Sequence, residues 1–361
     1  MTFATVVSLS LHLYMLNAAI NSDEVFYVTG ALTIMNHTSC GSAGTLASLQ
    51  PCNLEHPPFA KLLMAMSMSA FGDGNLGVRL PSILSGVFSI PAIAWLSSSL
   101  SGGNRKAIVA ASVLLSTSPT WFIMSSVGML DSVELFFGIL ALAVYFSKVG
   151  QSRGGLVLSG VLMGLSILSK EEGALMLLGL LIYELILGKP KRIFYVAVSS
   201  IVTILGVLWT YDLALTPFTN PLQHIQFIID TSIRLRYQGG YLLTPLQWFF
   251  QPRETLLAVV ALVWVPVSLV WVFRKGRAAA GLSSFSLVLL AATLVPLVIL
   301  YYINQRQEYL FYEFQVVSAL ALGTSGLLGK RGPWVVVIVI MFVATFIFAY
   351  YFPLLRSIYI S

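Results

Sequence analysis

The chain has 361 residues, 57% of them hydrophobic and only 9% charged, with a mean hydropathy of +0.87. Soluble domains carry about 25% charged residues, so this composition excludes an ordinary soluble globule. The net charge of +6 follows membrane sidedness, as shown below, and does not point to nucleic acid as a partner.

The first apolar run, Phe3 to Ile20, has no basic segment before it and no small-residue cleavage site after it. It reads as a first transmembrane helix and not as a cleaved signal. The span ends at Asp23-Glu24. An ionisable group at the bilayer centre costs about 2.5–3.5 kcal/mol, less near the interface, so a doubled acid there is a functional candidate. The competing reading is structural: both acids in the first turn of a helix capped by Ser22, favoured by the helix dipole.

A polar loop follows over 21–56, holding the sequon Asn36-His37-Thr38 and both cysteines, Cys40 and Cys52. If the loop is external, Cys40 and Cys52 are a candidate disulfide; otherwise they are free thiols. The apolar segment 57–71 is too short to span and opens on Pro57-Pro58, good first-turn residues. It reads as a helix lying in the interface, so the first external loop with its interfacial helix runs over 21–79. Within Asn53-Leu54-Glu55-His56-Pro57-Pro58-Phe59-Ala60-Lys61, a carboxylate, an imidazole and an ammonium gather at a rigid helix start. Glu55 and His56 are candidate cavity residues; the alternative is surface capping with a snorkelling Lys61. Two adjacent ligands suit one metal ion poorly, so no metal site and no cofactor are expected, a divalent ion being unsupported.

Further apolar runs occupy about 80–100, 107–125, 131–147, 155–169, 173–188, 193–212, 256–273, 282–302, 309–328 and 334–354. About 20 apolar residues cross the hydrocarbon core as a helix, and with the first run this makes about eleven spans. A second long polar stretch, 213–255, follows the seventh span. The expectation is one integral membrane domain over 1–361, all-α and polytopic, with no separate soluble domain.

Charge placement gives the orientation. With the N-terminus in the cytosol, the inner loops hold Arg105, Lys106, Lys148, Arg153, Lys189, Lys191, Arg192, Arg274, Lys275, Arg277, Lys330 and Arg331. That concentration is what the positive-inside rule demands. Of the 14 acids only Glu184 falls near an inner end. A multi-pass plasma-membrane protein with a cytosolic N-terminus and an external C-terminus is expected. The outer basic residues are Lys61, Arg79, Lys170, Arg234, Arg236, Arg253, Arg306 and Arg356. Acids and bases meeting on one face suggest an outward polar cavity that handles an anion.

Arg79, in Gly77-Val78-Arg79-Leu80-Pro81, and Lys170, in Ser169-Lys170-Glu171-Glu172-Gly173, are candidate phosphate ligands. Arginine offers a bidentate fork and lysine a point charge. Asp131 opens the fourth span with Glu134 one turn later, and reads equally as a cavity residue or a helix cap. Arg306-Gln307-Glu308-Tyr309-Leu310-Phe311-Tyr312-Glu313 leads into the tenth span. Its aromatics suit an interfacial belt. His12, His37 and His224 form no ligand cluster, and His12 reads as packed between helices. There is no Walker loop, dinucleotide turn or cysteine metal site.

In order, these motifs resemble the GT-C glycosyltransferases of the protein O-mannosyltransferase type, over nearly the whole chain. The likeness is carried by Asp23-Glu24, His56 through Lys61, Arg79-Leu80-Pro81, Leu130 to Phe137, Ser169 to Gly173, and Tyr309 to Tyr312. The resemblance implies a dolichyl- or polyprenyl-phosphate sugar donor, mannose being the first expectation, and a hydroxyl acceptor on a protein or lipid at the outer face. By matching positions it implies Asp23 as general base in an inverting attack and Glu24 as its helper. Arg79, Lys170 and Arg306 would bind the donor phosphate, and Glu55, His56 and Asp131 would line the cavity. The loop 213–255 lacks the β-trefoil-like insertion of eukaryotic members, which fits a compact prokaryotic or archaeal type and counts against a protein acceptor. The alternative from another class is a polytopic transporter or lipid flippase, which would more often show repeat symmetry and broken span pairs.

Overall fold

A computed structural model of the chain describes residues 2–18, 22–38, 40, 52–234, 255–275, 281–304, 313–331 and 333–360. Among them the secondary structure is helical throughout, in fifteen α-helices. The first part comprises α1 (Thr2–Tyr14), α2 (Ser22–Met35), α3 (Phe59–Phe71), α4 (Asn75–Ser101), α5 (Arg105–Ser116), α6 (Pro119–Ser126), α7 (Leu130–Phe146) and α8 (Arg153–Ser169). There follow α9 (Gly173–Leu187), α10 (Pro190–Leu215), α11 (Pro221–Arg234), α12 (Thr255–Lys275), α13 (Leu282–Asn304), α14 (Glu313–Arg331) and α15 (Trp334–Ile360).

Among the described residues four helices have the length and hydropathy to cross a bilayer: Asn75–Ser101, Pro190–Leu215, Leu282–Ile303 and Trp334–Pro353. α5 and α6 qualify together, bent by 59° at their junction. The bend has a local cause. Proline cannot continue the α5 hydrogen-bond ladder but suits a first turn, and Ser118 caps the new helix by accepting from Trp121 N at 3.2 Å. Among the described residues many large apolar side chains are exposed, Phe273 at 84% among them.

The N-terminal region departs from the expected single span over 3–20. α1 stops at Tyr14, and a new helix starts at Ser22. Asp23 and Glu24 therefore stand in the first turn of α2, where the helix dipole favours negative charge. The carbonyls of Leu16 and Ala18, left over where α1 ends, are taken up by Arg79 Nη1, each at 2.8 Å. As expected of 57–71, α3 is a short apolar helix beginning after Pro57-Pro58.

α4 and α7 form the centre, packed on one another, with α3 and α5 against α4 and with α8 against α7. α8 lies close on α10 because Gly160 and Gly164 face it; a Cβ on Gly160 would sit 1.8 Å from Ser199 Oγ. Small residues four apart let helix backbones approach in this way. On the other side α14 is a buried helix between α5 and α13. The long polar stretch 213–255 contains α11; residues 235–254 lie outside the described set.

Candidate active site

The two neighbouring acids have different surroundings. Glu24 is fully buried and its carboxylate is fully engaged. Arg79 Nε donates to Oε1 at 2.7 Å and Nη2 to Oε2 at 2.8 Å, while Gly128 N donates to Oε1 at 2.7 Å. Glycine is required at 128 because a Cβ there would come within 2.9 Å of Oε1. Arg79 is itself buried, and its Nη1 also donates to the Leu16 and Ala18 carbonyls just after α1. This pair joins α1, α2, α4 and the α6–α7 turn.

Asp23 is half-buried, and among the described residues its carboxylate accepts no hydrogen bond. Burial raises its pKa above the ordinary aspartate value; Lys170 opposes this, Asp131 adds to it, and His56 also opposes it. Those three groups come from the start of α7, the turn after α8, and the turn before α3, so three segments converge on Asp23 of α2. Lys170 Nζ reaches Asp131 Oδ1 at 2.7 Å, and both side chains are buried.

A second ion pair lies beside the first. His56 Nδ1 and Glu171 Oε2 are 2.9 Å apart, with side-chain exposures of 18% and 21%. Burial alone would lower the His56 pKa, but the Glu171 charge and hydrogen bond outweigh it, and the net direction is upward. Burial likewise works to raise Glu171, yet His56 and Lys170 hold it down at about 2. Ser232 of α11 donates to Glu171 Oε1 at 3.3 Å. The Tyr27 ring meets the imidazole edge-on at 5.8 Å between centroids.

The turn carrying Glu55 and His56 is held from several directions. Asn53 adopts a left-handed backbone (φ 48°), which asparagine tolerates. Its Nδ2 donates to Glu55 Oε1 at 2.8 Å. Lys61 is wholly buried; its Nζ donates to Asn53 O, to Asn53 Oδ1 at 3.3 Å and to His56 O at 2.8 Å. Burial pushes the Lys61 ammonium down to about 8, against the pull of Glu55 and Glu171. Cys40 and Cys52 are disulfide-bonded, with Cα atoms 5.7 Å apart, so the candidate bridge is present. Leu54 O meets His224 Nε2 at 3.1 Å, and His224 Nδ1 lies 2.7 Å from Asp212 Oδ1.

The residues singled out in the sequence thus gather in two places. Asp23, Lys170, Asp131 and His56 form the polar cluster, Glu55 is held by Asn53 in the turn beside His56, and Glu24 with Arg79 forms the buried brace. Arg306 lies outside the described residues. The sequence reading left unassigned the partners Glu171, Asn53, Asp212 and Ser232, and Gln315 of α14, whose Nε2 donates to Glu134 Oε2. Glu171 had a visible signal as one of two acids beside Lys170; Gln315, a neutral residue in an apolar run, had none. His224 ties Asp212 to the Leu54 carbonyl. His12 packs between α1 and α6, its Nε2 2.8 Å from Ser125 Oγ. Among the described residues no group of three His, Cys, Asp or Glu is arranged to hold a metal ion.

Comparison with known proteins bears on this arrangement. Residues 55–213 match the sequence profile described as dolichyl-phosphate-mannose-protein mannosyltransferase. That stretch contains Glu55, His56, Arg79, Asp131 and Lys170, while Asp23 and Glu24 precede it. A comparison with curated proteins finds no match. ArnT from Cupriavidus metallidurans, solved bound to undecaprenyl phosphate, superposes with a TM-score of 0.70 at 19% identity, covering 95% of this chain and 62% of that one. The Archaeoglobus fulgidus oligosaccharyltransferase aligns with a TM-score of 0.59 at 12% identity, covering 98% of this chain and 55% of that one. The chain therefore spans less than two thirds of either solved protein. These likenesses show that the chain shares the helical membrane fold of those two proteins, and residues 55–213 are similar to the mannosyltransferase profile.

Proposed function

We propose that this chain, whose residues 55–213 match the dolichyl-phosphate-mannose-protein mannosyltransferase profile, moves a sugar from a dolichyl- or polyprenyl-phosphate donor to a hydroxyl acceptor. Mannose is the sugar favoured by that match. The site lies at the outer membrane face, with a cytosolic N-terminus, an external C-terminus and about eleven crossings. The observation that carries this reading is the contrast between the two adjacent acids. Glu24 is saturated by Arg79 and Gly128, whereas Asp23 is half-buried, accepts no hydrogen bond from a described residue and faces two ion pairs.

In the reaction, Asp23 takes the proton of the acceptor hydroxyl as its oxygen attacks the anomeric carbon. The bond from that carbon to the phosphate oxygen breaks with inversion, and the lipid phosphate leaves with its added negative charge. Cations at the leaving oxygen stabilise it. Arg79 and Lys170 are both buried and paired, so exposure favours His56, the cation of the cluster with open surface, as the group that meets the phosphate first. Lys170, 2.7 Å from Asp131, supplies positive charge behind it. Arg79 is assigned to orienting Glu24 and the start of α2, with Arg306 kept as a further phosphate contact. Glu55 and Asp131 line the acceptor and sugar side.

The test is direct. Purified protein is supplied with dolichyl-phosphate-mannose and with peptide and lipid acceptors in parallel, and the glycosylated product is measured for wild type and Asp23→Asn. Transfer should appear with one acceptor class and vanish in the variant. Undiminished transfer by Asp23→Asn removes the assigned base, and no transfer to any acceptor removes the reading.

A further inference from the structure

Below the Asp131–Lys170 pair, α7 carries another acid that the reaction does not use. Glu134 is fully buried one turn after Asp131, and Gln315 from the first turn of α14 is buried against it. The Gln315 amide Nε2 donates to Glu134 Oε2. The other oxygen of each side chain, Glu134 Oε1 and Gln315 Oε1, is buried without a donor. Two leftover acceptors in one bonded pair are complementary only if a proton sits between them. A carboxylic acid and a primary amide then close a ring of two hydrogen bonds, in which the acid O–H donates to Gln315 Oε1. Turning the amide over leaves the same requirement, since an ionised carboxylate is an acceptor at both oxygens.

Charge balance leads to the same state. Among the described residues, the charged groups acting on Glu134 are Glu172 from the turn before α9, Asp131 on its own helix and Lys170 from the turn after α8. Lys170 is the one cation among them, and it is already 2.7 Å from Asp131. An ionised Glu134 would be a third buried carboxylate competing for one ammonium, and an unpaired buried charge is strongly destabilising.

We propose that Glu134 is held as a neutral carboxylic acid in a two-bond ring with the Gln315 amide, and that this ring is a positioning element for the Asp131–Lys170 pair. With Glu134 uncharged, Lys170 stays on Asp131 and its field reaches Asp23. Glu134 touches no reacting atom, and its effect passes through Lys170. The link to Asp23 rests on the transfer reaction proposed above; the protonation state does not.

The test therefore has two independent readouts. Infrared difference spectra of membrane-embedded wild type against Glu134→Gln, from mildly acidic to mildly alkaline buffer, should show a protonated-carboxyl C=O band that the substitution removes and that alkali leaves in place. Loss of carboxylate bands instead overturns the proposal. Gln315→Leu, which removes the ring partner, should move that band; a band that does not move is not from this pair. The second readout is the acid limb of sugar transfer. Glu134→Gln keeps the ring as an amide pair and should leave the midpoint where wild type has it, whereas a shift to lower pH would mean that Glu134 carried charge. If no transfer is found at all, the spectra still decide the protonation state.

Discussion

Arg79 grips Glu24 through two parallel hydrogen bonds, Nε to Oε1 at 2.7 Å and Nη2 to Oε2 at 2.8 Å, with neither side chain exposed. The fork also closes the end of α1, so one side chain satisfies an acid and two carbonyls. Removing one partner of such a buried pair leaves the other charge uncompensated, which costs about 3–5 kcal/mol. Arg79→Ala and Glu24→Ala should each lower the thermal midpoint in detergent strongly, and the double variant by much less than their sum. Arg79→Lys should not rescue, because an ammonium cannot reproduce the fork. Additive losses would show that the two do not act as a pair.

For Asp23 the expected pattern is the reverse: a large effect on rate and little on stability. General-base assistance contributes about 10²–10⁴-fold, so Asp23→Asn should cut transfer by roughly that factor. Burial raises the Asp23 pKa, and the ionised form is the one that accepts the proton. Transfer must then fall as pH drops through a value above the usual ~3.9 of aspartate. The same shift makes the charged carboxylate a cost to the fold above that value, so Asp23→Asn should leave the melting temperature equal or higher. A rate profile flat down to ordinary carboxylate pH would exclude Asp23 as the titrating base.

The sequence picked out charged residues that the structure brings close together, but not what each of them touches. The expense of charge in an apolar chain was enough to single out Asp23, Glu24, Arg79, Asp131 and Lys170. Their pairing was out of reach, because Glu24 meets Arg79 across 55 positions and Asp131 meets Lys170 across 39. Hydropathy also carried the first span on to Ile20, since Met15 to Ile20 is apolar enough to extend it. Beyond the end of α1 the carbonyls of Leu16 and Ala18 find a tertiary partner, Arg79 from α4, which hydropathy does not register. The α3 segment was legible because its length and its proline pair are local properties. Asp212 and His224 were not joined in the sequence reading, although an acid at the end of a span and a histidine twelve residues on are within reach of one helical corner.

The His56–Glu171 pair should give stability its own pH signature. Glu171 is held low, at about 2, so its contribution is complete above its unfolded value of ~4.3 and disappears as pH falls through the folded one. His56 is raised, so its contribution is complete below ~6.5 and is lost as pH rises through its folded value. The coupling from a His56→Ala and Glu171→Ala double-mutant cycle should therefore peak between roughly pH 4.5 and 6.5 and fade on the alkaline side. Thermal midpoints of the four proteins across that range provide the measurement. Coupling that grows with pH would mean the imidazole is neutral in the pair.

The Cys40–Cys52 bridge should matter to both stability and transfer, because of what it is attached to. It closes a loop of sequence separation 12. Closing a loop of about 15 residues is worth about 3 kcal/mol by chain entropy. Cys40 N also donates to Leu215 O at 3.0 Å at the end of α10, and Cys52 directly precedes the Asn53 turn that Lys61 holds. Reduction, or Cys40→Ser with Cys52→Ser, should lower the melting temperature. It should also slow transfer by loosening the turn that presents Glu55 and His56, without moving the acid limb set by Asp23. Thiol titration of the unfolded, unreduced protein should find no free cysteine, since the chain has only these two. Two titratable thiols in protein taken from its native membrane, with full transfer activity, would remove the bridge from any account of the site.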